Sequence, residues 1–324
     1  MAKQMKTYNN FTDAYIDLSR LIRDEYDFIS NPRGMKIKEK LGVQFRIKNP
    51  RDRLPFVAAR NFSLSYLVAE TLWYMSGNNS TEWISRYAPF WKDISDDGKT
   101  ANSAYGARIF KRNDRIAGGK LVQWDYVVNE LKRDSDSRRA VIHIRTPDDS
   151  VHAVKDVPCT LALQFFIRDE KLHLHVNMRS SDIILGLSYD VPAFTIMQEV
   201  MANELGVGLG EYVHTSNSLH CYERDFKMLD EIAASTNEAS CEMPALPTWF
   251  PTNELMEVEK SVWSASDAEI KDGILFSNSS KSTPLVEDWK CILASFRARK
   301  MKDSKLANQC ILGTTFKGYH FFRR

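Results

Sequence analysis

The sequence predicts a mixed α/β domain followed by a shorter C-terminal extension, and three observations carry that prediction. Helical and strand patterns alternate from about residue 10 to residue 230, with no Pro/Gly/Ser-rich linker and no internal repeat. The chain has 324 residues, 43% hydrophobic and 11% aromatic, enough apolar material for one large core or two modest ones. Beyond about residue 235 the pattern loosens. These features divide the chain into a catalytic domain over 1–240 and an extension over 241–324, a loop followed by a basic helical tail.

Taken in order, the segment NFSLSYLVAETLWYMSG has apolar residues at helical spacing and ends at Gly77, where a helix needs a left-handed residue. Glu70 lies inside that apolar helix. A buried carboxylate is costly unless paired, so Glu70 is either the structural partner of an arginine or a functional group. TLALQFFI, a polar four-residue turn RDEK and LHLHVNM describe a β-hairpin, with Leu172, Leu174, Val176 and Met178 on one face and His173, His175 and Asn177 on the other. The histidines lack a third ligand at metal spacing, so no metal is expected. VPAFTIMQEVMANELG predicts an amphipathic helix with a core-facing stripe of Val191, Phe194, Met197, Val200 and Met201, closed by Gly206. Residues 264–284 have the composition of a surface loop or linker. From residue 286 the chain is basic, and Trp289, Ile292, Leu293 and Phe296 recur at helical spacing.

Composition narrows the function. Lys plus Arg number 44 against 42 Asp plus Glu, a formal net charge of +2, which gives no case for bulk attraction to nucleic acid or a membrane surface. No window approaches 18 uninterrupted apolar residues, and the N-terminus MAKQMKTYNNFTDAY lacks the apolar region of a secretory signal, so a cytoplasmic location is the default expectation. Five widely spaced cysteines without a CxxC pair suggest neither a disulfide framework nor a zinc site.

One of those cysteines is a candidate nucleophile. A thiolate is the strongest nucleophile among side chains near neutral pH, and it needs neighbouring positive charge. Cys159 follows Pro158 just before a strand, with Arg138, Arg139 and Arg179 close in sequence. Several guanidinium forks converging on one thiol would also bind a phosphorylated substrate. Buried cysteines are common, so spacing alone leaves a packing role open.

The stretches DSRRAVI, VPCT, QFF, RSSDIILGLSYDVPAF and VHTSNSLHCY, with AETLWYMSG, PFWKD and SAYG before them, resemble the thymidylate synthase superfamily in order and spacing over residues 20–230. The resemblance implies a twisted sheet flanked by helices, two subunits packed back to back in a homodimer with shared active sites, and 5,10-methylenetetrahydrofolate as cofactor. It makes Cys159 the nucleophile that attacks carbon 6 of a pyrimidine ring, Glu70 the acid-base carboxylate and Tyr105 an aid to proton removal at carbon 5. Arg179 with Ser180, and Arg33 in SNPRGMK, match the nucleotide phosphate site, while Arg138 and Arg139 match the pair that reaches into the partner's phosphate site. His220 and Tyr222 match the sugar 3′-hydroxyl ligands. Asp182, Trp91, Leu185, Gly186 and Tyr189 fall on the folate side. Trp91 and Tyr105 could also simply pack.

Departures from the family pattern bear on the substrate. The uracil-reading asparagine of the family is Asp190 here, in LSYDVPAF. An ionised carboxylate has only acceptors, so it leaves O4 of uracil facing an anion but accepts two donors from an N3-protonated cytosine. The same change marks relatives that act on cytidylates, including phage deoxycytidylate hydroxymethylases. A second folate-side tryptophan is Ile94 here, and the chain ends GYHFFRR in place of a short apolar tail. These changes favour water attack on an exocyclic methylene over hydride transfer. Retained Ser180, His220 and Tyr222 favour deoxyribose. The expectation is a deoxycytidylate 5-hydroxymethyltransferase that uses dCMP, with four rivals: a methyl-transferring dCMP enzyme, a CMP enzyme, a divergent thymidylate synthase acting on dUMP, and an inactive nucleic-acid-binding relative suggested by Arg297, Arg299, Lys300, Lys302 and Lys305.

Overall fold

The computed structural model describes residues 5–111, 121–150, 155–237, 239–271 and 282–323. Eight strands, β1 (Lys6–Tyr8), β2 (Phe28–Ser30), β3 (Ile37–Ile47), β4 (Val141–His143), β5 (Thr160–Arg168), β6 (Lys171–Met178), β7 (Ser181–Asp182) and β8 (Gly208–Tyr222), form one mixed sheet. Its order is β1-β3-β8-β6-β5-β4, with β2 on β3 and β7 on β8. The long strands β3 and β8 pair antiparallel, and β6 runs parallel to β8. Alternation places Leu172, Leu174, Val176 and Met178 in the core and leaves His173, His175 and Asn177 half-buried on the opposite face.

The helices of the first 240 residues are α1 (Phe11–Asp24), α2 (Leu64–Met75), α3 (Thr81–Ile84), α4 (Phe90–Ile94), α5 (Tyr105–Phe110), α6 (Gln123–Arg133), α7 (Leu187–Leu205) and α8 (Phe226–Ala234). Asn10 caps α1 through a bond from the Asp13 N–H at 2.8 Å, and Ser63 caps α2 through the Tyr66 N–H at 3.2 Å. Gly77 and Gly206 both adopt the expected left-handed conformation, with φ of 65° and 68°.

Three expectations change in detail. The hairpin turn has two residues, Asp169 and Glu170, both at positive φ, because Arg168 and Lys171 already pair across the ladder. Helix α7 starts at Leu187, four residues before Val191, so Tyr189 and Asp190 sit in its first turn. It is also buried on nearly every side through Ala202, so it is a core helix with no wide polar face. Residues Asp267–Lys271 of the expected 264–284 loop are helical, while 272–281 fall outside the described residues.

Beyond residue 240 the chain carries α9 (Thr252–Ser264), α10 (Asp267–Lys271), α11 (Pro284–Lys300), α12 (Ser304–Leu312) and a 3-10 turn over Lys317–Phe322. Helix α2 is apolar around its whole circumference, which only works if another layer covers its outer side, and α9 and α11 pack there. Glu259 of α9 is buried and accepts from Trp83 Nε1 at 3.1 Å, Tyr87 Oη at 2.9 Å and Arg86 Nη1 at 3.3 Å. Trp289 and Phe322 join the same hydrophobic core as β3 and α7. Among the tail cations, Arg297 donates to the Ala265 carbonyl and to Asp267 and lies over the Trp263 ring, while Arg299 is half-buried. Both are drawn into the fold, which weakens the case for a free basic surface. No described helix is long and apolar enough to cross a membrane.

The ion pair of Arg53 with Glu199 of α7 is fully enclosed, and the second Glu199 oxygen accepts the Leu246 N–H at 2.9 Å. It joins the loop after β3, α7 and the start of the extension. Glu199→Ala leaves the Arg53 charge buried and unpaired, so a loss of about 3–5 kcal/mol is expected in denaturant unfolding. Replacing both residues together, Arg53→Met with Glu199→Leu, should recover most of it.

Candidate active site

Cys159 sits half-buried at the entrance to β5, held against the end of β6. Arg179 donates through Nη2 to the Val157 carbonyl at 2.8 Å and through Nε to the Pro158 carbonyl at 2.9 Å, while its N–H bonds the Cys159 carbonyl at 2.8 Å. Its Nη1 donates to Ser180 Oγ at 3.1 Å, and Ser180 Oγ donates to Cys159 Sγ at 3.6 Å. A hydroxyl donor backed by a guanidinium is the environment a sulfur nucleophile requires.

The approach to Cys159 is tied to α5 by residues that the sequence reading missed. Asn102 donates to Asp149 and to the Asp156 carbonyl, both at 2.9 Å, and the Asp156 carboxylate accepts the Ser103 N–H at 2.9 Å. Arg108 pairs with Asp149 at 2.6 Å. These partners lie up to 54 positions apart, and no periodicity links them.

Among the described residues Glu70 has no arginine partner; it accepts from Tyr66 Oη at 2.6 Å and Tyr74 Oη at 3.1 Å. Trp91 Nε1 in turn donates to Tyr66 Oη at 3.1 Å, so the Trp91 ring belongs to the same network. Burial pushes the Glu70 carboxyl up to about 7, against the opposing pull of the two tyrosine hydrogen bonds. Tyr105 lies beside this group because Gly106 lets α5 touch α2: a Cβ there would meet the Tyr74 carbonyl oxygen at 2.0 Å. The Tyr105 ring stacks on Phe194 at 5.7 Å, and burial raises its hydroxyl well above the ordinary range, helped by nearby Asp190 and Cys159.

Asp190 projects from the first turn of α7. Burial pushes its carboxyl well above the carboxylate range, with Glu70 and Asp182 adding repulsion, and no hydrogen bond reaches it among the described residues. A raised carboxyl takes up a proton more readily, and once protonated it offers one donor and one acceptor, where an ionised carboxylate offers acceptors only. Gly186 is required one turn earlier, since a Cβ would lie 2.9 Å from the Asp182 carbonyl oxygen. Asp182 accepts the Ile184 N–H at 2.9 Å, and burial raises its carboxyl too. It pairs in register with His220, whose ring is edge-on to Tyr222 at 5.1 Å; burial lowers the His220 pKa, so the ring favours the neutral form.

An aromatic wall adjoins this centre. Tyr189 stacks on Phe62 at 4.6 Å, meets Tyr66 edge-on and accepts the Ser63 N–H at 3.0 Å. Arg60, which the sequence reading also missed, is buried over the Tyr189 ring and donates to Ser188 Oγ at 3.0 Å. Leu185, Phe90 and Ile94 are exposed large apolar side chains. The C-terminal Phe321 and Phe322 pack on Phe56, and Phe322 also packs on Phe62.

Three predicted phosphate ligands lie apart from this cluster in the single chain. Arg33 is exposed at φ 55° in the turn after β2. Arg138 and Arg139 are exposed between α6 and β4, where the Arg138 carbonyl accepts from Gln164 and the Arg139 N–H bonds Ser137 Oγ.

The raised Glu70 pKa has a stability consequence of fixed sign. Between the unfolded value of 4.5 and the folded value of about 7 the native chain binds more protons than the unfolded one, so stability falls as pH rises through that window. Glu70→Gln keeps an acceptor for the tyrosines and removes the ionisation. Relative to the parent chain, its melting temperature should rise between pH 5 and pH 8, reflecting on the order of 3 kcal/mol. A pH-independent difference would contradict the buried-acid assignment.

Residues 13–266 match the thymidylate synthase family model. A deoxyuridylate hydroxymethyltransferase of Bacillus phage SP01 is 35% identical over 222 residues, covering 66% of this chain and 58% of that relative's length. The thymidylate synthase of Bacillus phage phi3T is 29% identical over 208 residues, covering 64% of this chain and 72% of the relative, and thymidylate synthase 1 of Bacillus spizizenii is 28% identical over the same span. The chain therefore belongs to the thymidylate synthase family.

Proposed function

We propose that the chain is a pyrimidine nucleotide 5-hydroxymethyltransferase acting on dCMP. The observation that carries this reading is a carboxyl at residue 190, where the family has an asparagine: it can hand a proton to a basic ring nitrogen, and it is buried without a hydrogen-bond partner among the described residues. A neutral carboxyl donates to N3 of cytosine and accepts from the N4 amino group. N3 is basic, so the proton can pass to it, giving a charge-assisted pair and drawing electrons from carbon 6.

The roles then follow from position. Cys159 Sγ adds to carbon 6 and places a carbanion at carbon 5, with Arg179 and Ser180 holding the 5′-phosphate side and His220 and Tyr222 the sugar hydroxyl. Members of this family take their one-carbon unit from 5,10-methylenetetrahydrofolate, which supplies carbon at the formaldehyde oxidation level. Trp91, Tyr189, Leu185 and the Gly186 turn offer flat and apolar surface for its ring system, and the Asp182 carboxyl offers polar pairing, so the residues present fit it. Once carbon 5 bears that unit, Tyr105 assists removal of the carbon 5 proton, with the carbon–nitrogen bond to the folate breaking at the same stage so that tetrahydrofolate would depart and leave an exocyclic methylene on the pyrimidine. Glu70, titrating at about 7, orients a water toward the exocyclic methylene and takes its proton. Expulsion of Cys159 restores the 5,6 double bond, giving 5-hydroxymethyl-dCMP and tetrahydrofolate.

The dimer belongs to this proposal. Exposed Arg138 and Arg139 would complete the phosphate site of a second subunit, with Arg33 closing from its turn. Residue 94 is a partly exposed isoleucine where the family carries a folate-side tryptophan, and the terminal phenylalanines are committed to Phe56 and Phe62, so folate closure leaves more room for water.

One specific alternative is dUMP as substrate. A neutral Asp190 also complements uracil, accepting from N3–H and donating to O4, and the SP01 relative is named for deoxyuridylate. The two substrates separate by product mass after incubation with methylenetetrahydrofolate and dCMP, CMP or dUMP: a hydroxymethyl increment on dCMP alone is expected, and an increment on dUMP alone would sink the cytosine reading. A methyl increment would replace water attack with hydride transfer. Cys159→Ala should abolish all turnover. Asp190→Asn presents an amide that can turn to match cytosine but cannot protonate N3, so kcat on dCMP should fall by about 100-fold or more with a smaller change in KM.

A further inference from the structure

Arg138 and Arg139 are exposed, yet the loop that carries them is anchored from below with unusual thoroughness. At the end of α6 the buried Glu130 carboxylate accepts from Ser137 Oγ at 2.6 Å and from Arg133 Nη2 at 2.5 Å. Ser137 Oγ in turn accepts the Arg139 N–H at 3.1 Å, so the carboxylate is one hydroxyl away from the arginine backbone. The rest of the loop is pinned at every step. The Asp136 N–H bonds Asp134 Oδ1 at 3.0 Å, the Ser137 N–H bonds the Asp134 carbonyl at 3.1 Å, and Arg168 of β5 donates to the carbonyls of Ser135 and Asp136 at 3.4 and 3.2 Å. Beyond it, Gln164 Nε2 holds the Arg138 carbonyl at 3.0 Å and the Val141 N–H holds that of Arg139 at 2.8 Å.

The Arg138 and Arg139 side chains themselves are exposed, and within their own chain the one effect seen between scaffold and side chains is the attraction of the Arg139 charge to Glu130. Long flexible cations gain precision in binding an anion only if their Cα atoms are fixed, since side-chain entropy otherwise consumes the benefit. We propose that Glu130, acting through Ser137, is a positioning residue for the nucleotide phosphate site of the opposite subunit: it sets the direction from which Arg138 and Arg139 enter that site. The inference rests on the shared-site reading given above. The Glu130 carboxyl is also held below the usual range by its bonds from Ser137 and Arg133, so it stays ionised as an acceptor where the enzyme works.

A residue that acts through a partner's site can be rescued by that partner. Glu130→Ala and Ser137→Ala homodimers should show a nucleotide KM raised roughly tenfold or more with kcat nearly unchanged, and Ser137→Thr, which keeps the hydroxyl, should restore it. In hybrid dimers of Glu130→Ala with Cys159→Ala, the only site bearing Cys159 receives its arginines from a subunit with Glu130 intact. Its KM should return to the parent value. A KM that stays raised in the hybrid means that Glu130 acts within its own chain and overturns the proposal, as does an unchanged KM in the homodimers. If Glu130→Ala does not fold, Ser137→Ala carries the same test. The control hybrid, Arg139→Ala with Cys159→Ala, isolates the premise: failure of that hybrid to recover shows that the sites are not shared, whereas its recovery beside an unrecovered Glu130 hybrid refutes the Glu130 assignment alone.

Discussion

Burial of two carboxyl groups is the constraint around which this structure is arranged. Glu70 and Asp190 come from different helices and are both buried, and each is raised in pKa first by desolvation. Among the described residues neither is neutralised by a cation: Glu70 is bonded by two tyrosines, and no donor reaches Asp190. A fold that only needed stability would place apolar groups there, because an unpaired buried carboxyl costs free energy and is tolerated where chemistry requires it.

That burial depends on layers remote in sequence. Helix α2, which bears Glu70, is apolar on all sides and is covered outwardly by α9 and α11 of the extension. The buried Arg53–Glu199 pair joins α7, which bears Asp190, to the loop after β3, and Glu199 also fixes the start of the extension through Leu246. The terminal phenylalanines brace Phe62, which stacks on Tyr189, the neighbour of Asp190. The last 80 or so residues, compositionally the least informative part of the chain, thus form part of the enclosure around the site.

The same economy operates at the surface. Arg138 and Arg139 are exposed cations, a class that ordinarily contributes little, yet their backbone is held by a chain of hydrogen bonds ending on Glu130.

Much was legible in the sequence because it is encoded at short range. Apolar spacing and terminal glycines marked α2 and α7, alternation marked β5 and β6, and the family motifs singled out Cys159, Glu70, Tyr105, Asp182, Asp190 and His220 as candidates, groups near enough to perturb one another's ionisation. The two-residue turn at Asp169–Glu170 and the early start of α7 escaped because pairing register and burial, both non-local, decide element ends. The Asn102–Asp149–Asp156 network, Arg60 and Glu130 were invisible because their partners are set by tertiary contact. The sequence by itself determined the family, the order of elements and the chemical type of each candidate group. Only the tertiary structure decided the surroundings of those groups: burial raises the Asp190 carboxyl well above the carboxylate range that its residue type alone implied, because a carboxyl's ionisation depends on the dielectric that surrounds it.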